Sequence, residues 1–220
     1  MKDVTLYAFR WVPPLAQGLV RDLRVRWALG EAGIPYTEHL VSLEESKTPA
    51  YRALQPFGQV PSAKIDGVTF FESGALVLQI AEQSAALMPD DATARALVRM
   101  WMFSALNTIE PPLTMLNVID FTSGGPEKAD AKLRGRVVGW AGERLDELTA
   151  SLGGRAYIVA DRFTAADLLM TTVLRILRDD DLITKRPALV DYRSRHEARP
   201  AFQKALAAQM APFAAHAPTA

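Results

Sequence analysis

The stretch QPFGQVPSAKIDGVTFFESGA, residues 55–75, decides the fold. It holds two short apolar runs, 60–65 and 68–71, joined by Asp66-Gly67. Asp-Gly between two such runs is a strong signal for a two-residue β-hairpin turn. Pro61 cannot donate to a strand ladder, so it marks an edge or a special turn. If the Val60-Pro61 bond is cis, the main-chain N–H and C=O of Val60 face outward, free to pair with an extended peptide. The plainer alternative is a loop proline closing a turn. Glu72-Ser73 ends the hairpin and opens a helix over 73–84. Ser73 suits an N-cap, and the free N–H groups and dipole of a helix start attract a carboxylate. Glu72 beside it suits an ammonium. The pair fits the α-amino-acid end of a ligand, or it is a plain helix cap.

Working outward, residues 4–9 (VTLYAF) are rich in strand formers. Leu15, Leu19, Leu23 and Trp27 recur every four residues, a helical stripe with Arg21, Arg24 and Glu31 mostly off it. Gly30 or Gly33, then Pro35, stop that helix. Residues 36–41 read as a strand and 50–54 as a short helix. The order is strand, helix, strand, helix, strand, strand, helix. Strands joined through a helix run parallel and a hairpin runs antiparallel, so the sheet is mixed.

After Pro89-Asp90-Asp91 the pattern is helical throughout. Residues 94–106 form a long helix that extends to Ile109 before Pro111-Pro112 interrupt it; 113–121 resume it. Further helices are read over 127–152, closed by Gly153-Gly154, and over 164–177, 187–199 and 201–210. Residues 157–160 are the only candidate strand in this half. Thr164 at N-cap and Asp167 three residues on form a capping box, with Phe163 and Leu168 placed as a hydrophobic staple. The division is therefore a mixed domain over 1–86 and an all-helical domain over 91–220, with a poorly ordered Ala/Pro tail from Ala211.

Composition excludes several classes of function. Twenty-five Lys and Arg balance twenty-five Asp and Glu, so no charge excess draws the chain to nucleic acid or an anionic membrane. There is no cysteine, hence no disulfide, thiolate zinc site or protein thiolate nucleophile. The three histidines, His39, His196 and His216, have no metal-helix spacing, so no metal is expected. The apolar runs fall short of the ~20 residues a membrane span needs. Arg10 interrupts the first of them, unlike a signal peptide, which leaves a cytoplasmic location as the expectation.

Five segments together resemble the glutathione transferase superfamily. They are Leu23-Arg-Val-Arg-Trp-Ala-Leu29, Gly33-Ile-Pro-Tyr36, Gln55-Pro-Phe-Gly-Gln-Val-Pro61, Phe71-Glu-Ser-Gly-Ala75 and Thr164-Ala-Ala-Asp167, in register over 145 residues. The resemblance implies an α/β thioredoxin-like domain with a four-stranded sheet, followed by an all-α helical-bundle domain. It implies glutathione as co-substrate, a small, apolar electrophile as acceptor, a role in detoxification, and a homodimer. By the same resemblance Val60, before Pro61, pairs with the cysteinyl part of glutathione. Glu72 and Ser73 hold the γ-glutamyl end. Gln59, with Ser46 or Lys47, faces the glycine carboxylate. An acceptor pocket between the domains draws on Trp101, Phe103, Glu110 and Met115, which are equally readable as helix core.

One departure bears on chemistry. A free thiol has a pKa of ~8.5, so only a few per cent is ionised at neutral pH and the family's reaction needs a group that stabilises the thiolate. Counting five onward from Tyr7, to the position of the usual Ser or Cys, reaches Val12. Residues 10–20 hold no Ser, Thr, Cys or Tyr. The candidates are Tyr7, which otherwise packs in its strand; Arg10, otherwise a solvated loop charge; Trp11, through its indole N–H; and a main-chain N–H near Pro13 or Pro14. The alternatives to conjugation are a non-catalytic glutathione-binding module and a glutathione-dependent isomerase or dehalogenase.

Overall fold

A computed structural model describes residues 1–218. The chain runs β1 (Val4–Phe9), α1 (Asp22–Ala32), β2 (Thr37–Val41), α2 (Pro49–Arg52), β3 (Ser62–Ile65), β4 (Val68–Phe71) and α3 (Ser73–Ala81). It continues with α4 (Ala92–Ser104), α5 (Glu110–Ser123), α6 (Ala131–Leu152), α7 (Ala165–Leu174), α8 (Asp181–Thr184), α9 (Pro187–Glu197) and α10 (Pro200–Ala215). Two compact units result: Met1–Met88 together with the chain from Ala198 onward, and Pro89–Glu197.

In the first unit the sheet order is β2-β1-β3-β4. β1 pairs parallel with β2 and antiparallel with β3, and β3 pairs antiparallel with β4. The Asp66-Gly67 hairpin forms, with φ of 48° and 86°, the two positive values a type I′ turn requires. Alternation along β1 buries Val4, Leu6 and Ala8 on one face. Tyr7 and Phe9, on the other, pack with Val41, Tyr51 and Val60.

Two readings of this unit are corrected. The stripe from Leu15 to Trp27 is not one helix. A 3-10 turn occupies Pro14–Ala16, Gly18 takes φ 75°, and α1 begins at Asp22, leaving Leu15 exposed. Proline and a left-handed glycine break the helical hydrogen-bond run whatever the spacing of leucines. Nor does α1 have a polar face: every residue from Asp22 to Leu29 is buried, Arg24 and Arg26 included.

The burial of α1 has its cause at the far end of the chain. The C-terminal helix α10 belongs to this unit, not to a helical domain over 91–220, and it packs on α1 as α3 does. Burying α10 against α1 takes Arg26 out of water, and its guanidinium is answered by carboxylates. Nε donates to Asp22 at 2.6 Å and Nη1 to Glu38 at 2.6 Å. Gln209 on α10 donates to Asp22 at 2.6 Å and to the Val20 carbonyl at 2.9 Å. Burial pushes the Asp22 carboxyl up, opposed by Arg26 and Gln209. Nearby, Arg199 grips Glu31 with two bonds of 2.6 and 2.7 Å, and Trp27 meets the Phe202 ring edge-on. The tail from Ala211 is helical through Ala215 in consequence; Thr219 and Ala220 lie outside the described residues.

In the second unit, Pro111-Pro112 do not interrupt the helix as read. A π-helical turn over Ala105–Ile109 widens the path, and the prolines sit in the first turn of α5, where a missing N–H is tolerated. Asp130 caps α6, which starts at Ala131 rather than residue 127, and Gly153 ends it at φ 55°. Residues 157–160 form bends and a turn, not a strand. The capping box is present, with Thr164 and Asp167 both fully buried. Asp167 accepts from the Ile158 N–H at 2.8 Å, the Tyr192 hydroxyl at 2.8 Å and the Thr164 N–H at 2.9 Å.

Candidate functional site

Strand register gathers the candidate residues of the first unit at one end of the sheet. Ser62 pairs with Tyr7 on one side and Phe71 on the other. The segment entering β3 (Gln59, Val60, Pro61), the segment leaving β4 (Glu72, Ser73) and the exit of β1 toward Arg10 and Trp11 therefore share that end.

The Val60-Pro61 bond is cis. Val60 and Pro61 are buried, and among the described residues neither main-chain group of Val60 has a hydrogen-bond partner. The groups around it are tied. The Tyr51 hydroxyl donates to the Gln59 carbonyl at 2.9 Å, and the Gln59 N–H donates to Gln55 Oε1 at 3.3 Å. The Gln59 side chain stays exposed. Lys47 Nζ donates to the Gly58 carbonyl at 2.6 Å, which ties Lys47 to the residue before Gln59. Ser46 is fully buried and its hydroxyl donates to the Leu43 carbonyl at 2.7 Å, which spends it on the loop. Gly58 is what lets these segments meet. It takes φ 62°, and a Cβ there would lie 2.6 Å from the Ser46 carbonyl oxygen.

At the start of α3 the N-cap is Glu72, exposed and at φ 71°, and its side chain makes no cap bond. This corrects the placement of Ser73 as N-cap: Ser73 is the first helical residue, 5% exposed. Its Oγ accepts a hydrogen bond from Arg24 Nη1 at 3.2 Å. Sequence reading missed Arg24 because its position looked like the solvent side of α1.

Of the thiolate-stabilising candidates, Tyr7 is half-buried, its ring 4.8 Å from His39 and edge-on to Tyr51 at 6.2 Å. Among the described residues nothing hydrogen-bonds its hydroxyl. Arg10 pairs with Glu45 at 3.3 Å on the surface, a pair of the kind worth ~0–1 kcal/mol. Trp11 is half-buried, and Val12 is buried.

The acceptor candidates lie in the second unit. Trp101 and Phe103 are on α4, Glu110 and Met115 on α5. Phe103 and Met115 are exposed, which removes the helix-core alternative for both; Trp101 is half-buried and Glu110 buried.

A mixed sheet in this strand order, a helix N-terminus beside the Val60-Pro61 turn, and a helical second unit are together the architecture of glutathione transferases. Sequence comparison agrees. The family profile "Glutathione S-transferase, N-terminal domain" matches residues 23–83, and "Glutathione S-transferase, C-terminal domain" matches 113–200. Glutathione S-transferase 3 of Zea mays is 32% identical over 211 residues, covering 89% of this chain and 91% of that protein. A probable maleylacetoacetate isomerase 2 of Drosophila melanogaster is 30% identical, covering 83% and 81%. A glutathione transferase of Burkholderia graminis, solved with two glutathione molecules bound per subunit, superposes with a TM-score of 0.80 at 26% identity, covering 93% of this chain and 88% of that one. The chain belongs to the glutathione transferase family.

Proposed function

We propose that this chain binds glutathione and transfers it to a small electrophile. The observation that carries the reading is the pair of Val60 main-chain groups without a partner among the described residues. They sit at the sheet end that also presents Ser73 and the N-terminus of α3. An extended peptide with a carboxylate at one end fits that arrangement: two backbone bonds to Val60, the γ-glutamyl carboxylate at Ser73, the ammonium near Glu72, and the glycine end toward Gln59 and Lys47. Glutathione bound to the Burkholderia graminis relative supports the choice of peptide. Tyr7, whose hydroxyl is uncommitted to other described residues, is the leading donor to the sulfur. Phe103, Met115 and Trp101 offer apolar surface to an acceptor.

A second reading is a glutathione-binding module without turnover, favoured by the absence of any hydroxyl or thiol side chain over residues 10–20. Calorimetric titration with glutathione, followed by a broad electrophile panel read by product mass spectrometry, separates the two. Binding with glutathione adducts supports the transferase. Binding with no adduct on any electrophile selects the module. An isomerised product from a panel compound, with glutathione recovered unchanged, selects a glutathione-dependent isomerase, an activity named for the Drosophila relative. No binding overturns the site.

A further inference from the structure

We propose that Arg24 is a positioning residue that turns Ser73 into a dedicated donor to the ligand's carboxylate; this rests on the reading of α3 as the glutathione γ-glutamyl site. Arg24 lies in the first turn of α1 at 4% exposure, and Ser73 opens α3 at 5%. Nη1 and Oγ are 3.2 Å apart. A hydroxyl can donate one hydrogen bond and accept two, whereas a guanidinium has no acceptor and does not lose its charge in proteins. The direction of the bond is therefore settled: Arg24 donates, and Ser73 Oγ accepts. The serine proton must point away from Arg24. Among the described residues no second group bonds Ser73 Oγ, so the proton is left for an acceptor brought by the ligand. The charged donor behind the oxygen also polarises the O–H, which strengthens its bond to an anion. A neutral carboxamide in place of that carboxylate on the ligand would gain less, so the arrangement selects the ionised α-carboxylate.

The same geometry sets the test. Arg24 acts through Ser73, so its effect vanishes when either Ser73 or the ligand's α-carboxylate is removed. Titrate the full chain as wild type, Arg24→Gln, Ser73→Ala and the double variant. The ligands are glutathione and γ-aminobutyryl-cysteinyl-glycine, which lacks only the γ-glutamyl α-carboxylate. The expected result is roughly a tenfold or greater loss of glutathione affinity in each single variant, the size of one hydrogen bond to a charged group. The double variant loses no more than Ser73→Ala, and the decarboxylated peptide binds all four alike. If Arg24→Gln does not fold, Arg24→Lys keeps the charge and a donor on a shorter reach and is read by the same cycle. Additive losses in the double variant, equal losses with both peptides, or unchanged glutathione binding in the Arg24 variants overturn the proposal. If Ser73→Ala weakens glutathione and the Arg24 variants do not, the site stands and the inference falls. If wild type binds neither peptide, both fall.

Discussion

Gly58 shows how a single missing side chain assembles the site. It holds φ 62°, a region that L side chains populate at a cost, and its Cα hydrogen faces the Ser46 carbonyl. Gly58→Ala must displace either the 46–47 loop or the segment leading to Val60. The expected outcome is a loss of about 2 kcal/mol in denaturant unfolding, from strain and overpacking together, with weaker glutathione binding in calorimetry. Gly67→Ala is the control. Its φ is 86°, but a Cβ there meets nothing within 4 Å, so it should cost only conformational strain and leave glutathione binding unchanged. Unchanged binding in Gly58→Ala would mean that the loop does not position the ligand segment. At this scale the special turn at Val60-Pro61 was legible because turn chemistry is local, whereas the cap was misplaced by one residue, Glu72 rather than Ser73 being the N-cap of α3. Arg24 was not legible, because its partner is a hydroxyl forty-nine residues away in sequence.

At the scale of elements, α7 is specified twice over. Its sequence carries the capping box, and the fold adds donors from outside the helix, the Ile158 N–H and the Tyr192 hydroxyl. Asp167→Ala strands these buried donors along with the Thr164 N–H. The expected cost is about 3 kcal/mol or more, read as a fall in Tm of roughly 10 °C. Asp167→Asn keeps an acceptor oxygen and should lose less. An unchanged Tm in Asp167→Ala would show that water satisfies those groups at little cost. The long helices α4 to α6 were also legible as periodic patterns, but their boundaries were set by details the pattern does not carry. The π turn before Pro111 and the Asp130 cap moved the ends by several residues.

At the scale of the whole molecule, the exposed apolar side chains call for a partner. On α4 they are Leu97, Met100 and Phe103, and on α5 Met115, Val118 and Phe121. On α3, by contrast, Leu76, Val77 and Ile80 are buried. A symmetric homodimer that covers part of this surface is the proposed state. Light scattering at micromolar concentration should report twice the 24.1 kDa chain mass; a monomer would count against it. No helix among the described residues is long and apolar enough to cross a membrane.

The sequence by itself determined the parts whose physics is local: the Asp-Gly hairpin, the α7 capping box, the strand-forming run of β1 and the mixed sheet that follows from those connections. Each depends on φ preferences, hydrogen bonds or side-chain spacing within a few residues. Only the tertiary structure decided that α10 returns to pack on α1. Nothing in the α10 sequence names its partner, and the packing of distant elements outweighs the local pattern. That return inverts the reading of α1, because a helix covered by α3 and α10 has no solvent face on which to place its arginines. Arg26 is then held by carboxylates from α1 and β2, and Arg24 reaches Ser73 at the start of α3. A buried guanidinium must find partners wherever the fold supplies them, and those partners come from segments that no local window contains.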